Sequence, residues 1–425
     1  MARTNPARVL HLLRPSAGGM REHVISLAVA LSQDNYDVMV AGALDEELRR
    51  RLSRAQVRFA NIGFPRSWGL RQNLQAAEAL ARLLNSQRPD LCHAHGYHAG
   101  LVASLALDRV QPRPRFICTA HNLPFSTPRG LRGRLAERFA YRRLLSRADA
   151  AIAVSDAVRE ALGRLAPRAR DKCRTIHNGV DAGKFEVVID GGLKKQELGL
   201  SPPAAVVGFV GRLSREKGIY VFMDAAVRLS HALPNVEFLV VGTGPELEHL
   251  RREAHTRGIY GTIVFAGFRD DIPAIMAILD VIAIPSLSEG FSMVAVEALA
   301  ADTPVVASDT GGLTEVLAGA PRAALVPPGE DLALARGIAW ALSRVPEESV
   351  ASAASEFIET EAGQRVRALV SEEAYDLSDR DDWHRDRRAG APDLSPGQKY
   401  VRERFSLERM VAATEAAYHD LLAPH

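Results

Sequence analysis

Two glutamates, Glu289 and Glu297, stand at E-x7-E spacing in IPSLSEGFSMVAVEALAADTPVVASDTGG. The stretch reads as a strand ending at Pro285, a loop carrying Glu289, and a helix opened by Gly290 that contains Glu297. A helix starting beyond the carboxyl end of a strand aims unpaired N–H groups at whatever binds there. Those of Gly290, Phe291, Ser292 and Met293 suit a phosphate, and the helix dipole adds about 0.3–1 kcal/mol per well-placed charge. Glu289 would face hydroxyls beside that phosphate, and Glu297, about two turns on, can accept from a vicinal diol such as a ribose.

Carboxylates beside a phosphate call for cations. GRLSREKG follows the apolar run AAVVGFV and supplies Arg212 and Lys217, which can clamp a diphosphate without metal. Glu297 alone reads as a helix-surface carboxylate, but both glutamates with a glycine and two cations in order read as a site. Near the start, PSAGGM places Gly18 and Gly19 between a strand and a helix, where backbone can approach a phosphate or sugar closely or simply make a tight turn. In TAHN, His121 ends another strand; a lone histidine is usually structural, and a facing nucleotide site makes this one a candidate.

The elements that must hold these residues are legible as short apolar runs. ARVLHLL, YDVMVAGA, LCHAH, RFICTAH and ADAAIAVS read as strands in the first part, and AAVVGFVG, VEFLVVG, TIVFAG, DVIAIPS and TPVVASD in the second. Helix-length stretches such as Glu22 to Ser32, Gln75 to Gln87 and Tyr220 to Ala232 lie between them. Near-continuous apolar strands separated by helices predict an α/β fold, with parallel sheets covered on both faces. Two sets of about five strands each predict two Rossmann-like, doubly wound domains. The boundaries read as 1–180, a linker at 181–203 where glycine, proline and charge collect, 204–400, and a closing segment 401–425. A charged, turn-rich excursion at about 359–400 interrupts the second domain, and FSLERMVAATEAAYHDLL forms an amphipathic helix after it.

With 425 residues, 47% of them apolar and 24% charged, the chain has the balance of an ordinary globular protein, which excludes wholesale disorder or a fibrous repeat. Cys92, Cys118 and Cys173 are an odd number without metal spacing, so neither a disulfide framework nor a zinc site is expected, and a reduced cytosol is. No run reaches the ~18 apolar residues of a membrane span, nor does the start read as a secretory leader. The expectation is a cytoplasmic protein, soluble or peripheral at the inner face of the membrane.

The formal net charge of +2 hides an asymmetry: 29 Lys and Arg against 14 Asp and Glu through Val180, then 24 against 37. A basic first part suggests an anionic partner, the plainer alternative being arginines that decorate solvated helices. RGLRGRLAERFAYRRLLSR, from Arg129 to Arg147, holds seven arginines against one acid, with Leu131, Leu135, Phe139 and Leu145 at helical spacing. Such a helix either lies on an anionic membrane or packs on the sheet by its apolar stripe. Nucleic acid is not expected, because no interleaved aromatics accompany the arginines.

Taken together, the GG loop, the strand-end AHN, HNGVD, GRLSREKG, VVGTGP, the SEGFSMVAVEALAADTPVVASDTGGLTEVL block and the final FSLERM helix resemble retaining glycosyltransferases of family 4, of GT-B fold. The resemblance covers nearly the whole chain; its E-x7-E block is specific and its GG loop is not. It implies a ligand cleft between two domains, an acceptor held by the first, and a nucleotide diphosphate sugar held mainly by the second, with no metal and no separate cofactor. It implies that Arg212 and Lys217 neutralise the diphosphate, that Glu289 holds the donor sugar, and that Glu297 holds the ribose. It further implies that Gly18 and Gly19 meet the donor phosphate and sugar, that His121 lies near the anomeric carbon, and that backbone around Phe268 and Arg269 meets the base. The closing helix would cross back to the first domain; the excursion at 359–400 departs from the family's compact pattern. Two other classes stay open: a nucleotide-sugar epimerase of the same architecture, and a non-catalytic nucleotide-sugar-binding partner.

Overall fold

The computed structural model describes residues 6–14, 18–64, 69–124, 130–343, 354–355 and 394–423, and the chain divides into two units. The first comprises Met1–Gly179 with Leu407–His425, the second Val180–Ser406.

In the first unit, β1 (Ala7–Leu13), β2 (Tyr36–Gly42), β3 (Arg58–Asn61), β4 (Leu91–His95), β5 (Arg115–Ala120), β6 (Ala150–Ala153) and β7 (Cys173–Thr175) form a parallel sheet. Its order is β3-β2-β1-β4-β5-β6-β7, so the winding reverses between β1 and β4. Alternation along the strands sends Val9, Leu91 and Ile117 to one face, against helix Gly19–Gln33 and the closing helix Leu407–Leu422. Leu10, Cys92, Phe116 and Cys118 face the other way, onto helices Leu70–Gln87 and Tyr97–Ala106. The three cysteines are buried and unpaired.

The second unit repeats the plan with β8 (Ala205–Val210), β9 (Val236–Val241), β10 (Ile263–Gly267), β11 (Val281–Ile284), β12 (Val305–Ser308) and β13 (Ala323–Val326), all parallel. The order β10-β9-β8-β11-β12-β13 places the reversal between β8 and β11. One face of this sheet packs on helices Ile219–Ala232 and Asp331–Leu342 through Phe222, Met223, Leu334 and Ile338.

Seven and six strands replace the five or so expected in each sheet. The additions β3, β7 and β13 are all edge strands of three or four residues. An edge strand has one neighbour and need not be apolar on both faces, so β3, mostly exposed, carries little hydrophobic signal.

Two segments lie elsewhere than expected. The 181–203 stretch is part of the second unit: it forms the turn Ala182–Phe185 and the helix Gly191–Glu197, both packed against helix Ile272–Ile278. The Asp190 side chain caps the helix by accepting from the Leu193 N–H at 3.0 Å. The 401–425 stretch is shared, because helix Pro396–Arg404 belongs to the second unit and helix Leu407–Leu422 to the first. The excursion at about 359–400 falls outside the described residues up to 393.

Candidate active site

The second unit's switch point is where ligands of open α/β sheets bind, outside the carboxyl ends of the strands. Two loops meet there. The loop after β8 makes a single turn at Arg215–Lys217 and passes into Gly218, whose φ is +69°. A Cβ at Gly218 would stand 1.7 Å from the Pro285 carbonyl oxygen, so only glycine lets this loop press against the end of β11. The Leu287 N–H donates to the Glu216 carbonyl at 2.9 Å and fastens the two loops. As a result Lys217 Nζ reaches Glu289 Oε2 at 2.6 Å, and Ser286 Oγ donates to the same oxygen at 3.0 Å. The Glu289 side chain is 7% exposed and that of Lys217 34%, so the carboxylate is the buried partner.

Arg212, in the same loop, is exposed and has no ion-pair partner among the described residues. The helix expected to open at Gly290 opens instead at Met293, because the Ser292 side chain caps it, accepting from the Ala295 N–H at 3.3 Å. Gly290 and Phe291 therefore sit in the loop, and the unclaimed N–H groups are set back by nearly a turn from the expected start. Glu297 is half-buried on this helix. After β10, Phe268 is exposed at 64%, while the Arg269 guanidinium bonds Glu197 at 2.8 Å and Asp271 at 2.7 Å. The Arg269 contact holds the Asp271 carboxyl well below its usual range, and leaves backbone rather than the Arg269 side chain for a ligand.

In the first unit, Gly18 turns with φ +76° and caps helix Gly19–Gln33 just beyond β1. His121 follows β5 and is buried at 8% exposure. It is not alone. Register places His11 of β1 beside His93 of β4, and His93 and His95 both point to the face that carries His121. His23, from helix Gly19–Gln33, meets the His121 ring edge-on at a centroid separation of 4.8 Å. His121 Nε2 lies 3.3 Å from His95 Nδ1, and His95 Nε2 lies 3.0 Å from His11 Nδ1. His93 bonds Tyr418 Oη at 2.6 Å and Thr119 Oγ1 at 2.7 Å.

Burial dominates the electrostatics of this cluster. It lowers His11 to about 3 and His23 to about 4, the latter against an opposing contribution from the Asn178 side chain. It pushes His93, His95 and His121 well below the usual imidazole range, helped by neighbouring histidines. Ligand atoms of His11, His93 and His95, and of His23, His95 and His121, lie within 4.8 Å of one another, close enough in principle to converge on a metal ion. Among the described residues both groups consist of imidazoles alone, so a dication there would be buried without a carboxylate ligand to balance its charge.

Residues 17–184 match the family model described as Glycosyltransferase Family 4, and residues 192–356 the model described as Glycosyl transferases group 1. A Streptomyces fradiae protein named 2-deoxystreptamine N-acetyl-D-glucosaminyltransferase is 30% identical over 76% of this chain and 82% of its own. The chain belongs to glycosyltransferase family 4.

This glycosyltransferase is also 38% identical to the 2-deoxystreptamine glucosyltransferase of Streptomyces kanamyceticus, over 34% of this chain and 38% of that one. Further curated relatives are matched over 44% to 65% of their length. In fold it is similar to Anabaena HepE, solved with UDP-glucose, at a TM-score of 0.72 and 22% identity, covering 97% of this chain and 99% of that one. It is equally similar to the sucrose-phosphate synthase of Thermosynechococcus elongatus, at a TM-score of 0.74 and 21% identity over 98% and 99%. Two parallel Rossmann-like sheets with these neighbours are the GT-B fold.

Sequence reasoning singled out one histidine of the glycosyltransferase where the structure gathers five. The signal was present in LCHAH, whose two histidines at i and i+2 in a strand must share a face, and in the histidine of ARVLHLL on the neighbouring strand. The arginine-rich helix differs too. It runs Leu131–Arg147, packing by Ala140, Tyr141, Leu144 and Leu145, whereas Leu135 and Phe139 face outward at 57% and 70% exposure. The side chain of Leu131 and all of Arg129 lie outside the described residues.

Proposed function

We propose that this glycosyltransferase retains anomeric configuration and works without metal or cofactor. It moves a hexosyl group from a nucleotide diphosphate sugar to a hydroxyl acceptor, in cell-envelope polysaccharide, glycolipid or glycoside synthesis. The observation that carries this reading is the Lys217–Glu289 pair at the β8/β11 switch point, with the capped helix Met293–Ala300 behind it. UDP is the default nucleotide, being the one in the HepE complexes, with GDP the alternative.

In the second unit, Lys217 and Arg212 neutralise the diphosphate, Glu289 takes the donor sugar's hydroxyls and Glu297 those of the ribose. Backbone at Gly290, Phe291, Ser292 and Met293 meets phosphate, and Phe268 meets the base. In the first unit, Gly18, Gly19 and His121 meet the phosphate and sugar. The bond from the anomeric carbon to the diphosphate oxygen breaks as the acceptor oxygen bonds to the same face. The acceptor proton passes to the departing diphosphate, whose growing charge Arg212, Lys217 and the helix N–H groups stabilise.

The acceptor is anionic or lipid-linked, and the enzyme meets the membrane peripherally. Support comes from the outward Leu135 and Phe139, one helical turn apart and flanked by exposed Arg134, Arg138 and Arg142. Among the described residues no helix is long and apolar enough to cross a membrane.

The test is nucleotide diphosphate release from UDP-, GDP- and ADP-sugars with chelator present, comparing the native protein with Glu297→Ala. Release from one donor, lost in the variant, supports the reading and names the donor. Epimerisation would leave the diphosphate attached to its sugar. An untouched donor, even with membrane extract added as acceptor, would make the protein a binding partner.

A further inference from the structure

A neutral imidazole carries one N–H and one bare nitrogen, so hydrogen bonds between such rings must all run the same way. His11, His95 and His121 make such a series, joined at 3.0 Å and 3.3 Å along one face of β1, β4 and the end of β5. Reversing the tautomer of any one ring requires the other two to reverse with it. The series is closed at its inner end, because His11 Nε2 is buried and has no hydrogen-bond partner among the described residues. It is isolated at its sides. His93, 4.1 Å from His95 between centroids, is occupied by Tyr418 of the closing helix and Thr119 of β5, and His23 of helix Gly19–Gln33 meets His95 and His121 edge-on. Burial keeps the rings uncharged near neutral pH. The outer end is His121, the most exposed of the five, with Nε2 taken by His95 and Nδ1 in no hydrogen bond among the described residues.

We propose that His95 and His11 are positioning residues, a closed imidazole relay that holds His121 in a single neutral tautomer and so fixes whether its Nδ1 donates to or accepts from the bound sugar. The functional half of this assignment rests on the proposed place of His121 in the donor site. It gives a histidine beside the reacting sugar that orients by hydrogen bonding and does not exchange protons. That agrees with a reaction in which the departing diphosphate takes the acceptor's proton.

The relay is read by long-range proton–nitrogen NMR of the histidine rings in the full-length protein labelled with ¹⁵N-histidine at pH 7. The expected spectrum gives His121 one protonated and one bare nitrogen. His11→Leu, a change two rings away, should draw the two His121 nitrogen signals together. It should also lower donor turnover about 2- to 10-fold, the worth of one hydrogen bond, with a smaller change in donor KM. His11→Asn, whose amide reaches the place of Nδ1, should restore both. An imidazolium or an averaged tautomer for His121 in the native protein overturns the proposal without any variant being needed. So does a folded His11→Leu protein with unchanged His121 signals. Full turnover in His121→Ala would instead sink the donor-site reading and leave the ring measurement to judge the relay alone.

Discussion

Lys217 donates to Glu289 at 2.6 Å although 72 residues separate them in the chain. The two belong to loops after adjacent central strands, and each is a poor resident of its place without the other. The Glu289 side chain is nearly sealed from water, while the Lys217 side chain is about a third exposed. In the proposed reaction, a donor that takes Lys217 onto its diphosphate must offer Glu289 hydroxyl donors in exchange, which would couple recognition of phosphate to recognition of sugar.

Lys217→Ala is expected to lower turnover by about 10²–10³-fold, since in the proposed reaction it removes charge stabilisation that matters most as the diphosphate leaves. Steady-state kinetics on the best donor should show the loss in kcat, with donor KM changing by less. An unchanged kcat with only a raised KM would assign Lys217 to ground-state binding.

Gly218→Ala should be destabilising by about 3 kcal/mol, because the new Cβ meets the Pro285 carbonyl and the backbone sits at a left-handed φ. Denaturant melts measure the stability loss, and activity should fall with it as Lys217 is displaced from Glu289. Gly258→Ala, at a similar φ of +74° but with nothing within 4 Å of the new Cβ, serves as control and should cost less.

Acid should weaken the first unit before most proteins feel it. Burial holds the five clustered histidines below their unfolded value of about 6.5. Between that value and the folded ones, about 4 for His23 and about 3 for His11, the unfolded chain binds more protons. Stability is thus complete above pH 6.5 and falls as the pH drops through this window, by up to about 1.4 kcal/mol per histidine per pH unit. Urea midpoints should be flat from pH 8 to 7 and decline steeply from 6.5 to 5. A midpoint still level at pH 5 would mean that the rings are not buried together.

Chelator should leave donor turnover unchanged, because in the proposed reaction Arg212 and Lys217 neutralise the diphosphate without a metal. A fall reversed by added magnesium or manganese would overturn that arrangement.

Phe139→Ser with Leu135→Ser should abolish sedimentation with phosphatidylglycerol vesicles while leaving turnover of a soluble acceptor intact. Binding by the native protein should weaken with salt and be absent on phosphatidylcholine. Equal binding by native and variant proteins would place membrane contact elsewhere.

The sheets were readable from sequence because buried parallel strands are continuous apolar runs, and DVIAIPS or LCHAH resemble little else. β3 was not, since an edge strand of RFAN composition has one neighbour and little to bury. The E-x7-E spacing fixed which glutamates to watch, but not that Glu289 would pair with Lys217, because that distance depends on Gly218 and the Pro285 carbonyl touching. Periodicity groups Leu135 and Phe139 with Leu145, but the structure separates them: Leu145 packs inward with Ala140, Tyr141 and Leu144, while Leu135 and Phe139 face outward, because helical spacing alone does not say which stripe is buried. The histidine cluster is not legible from His121 alone, because only strand register brings His11, His93 and His95 onto the same face.

The first sheet is closed by helix Leu407–Leu422, whose Met410 and Tyr418 pack on it and whose Tyr418 binds His93. That helix leaves the ribosome only after all of Val180–Ser406 has been made. The order of synthesis is therefore not the order of completion: the unit begun first is finished last, with the second unit assembled as an insertion within it. Until then the face carrying Val9, Val38 and the buried imidazoles stays partly uncovered, so the nascent chain holds an apolar surface open for the whole time its other half takes to emerge.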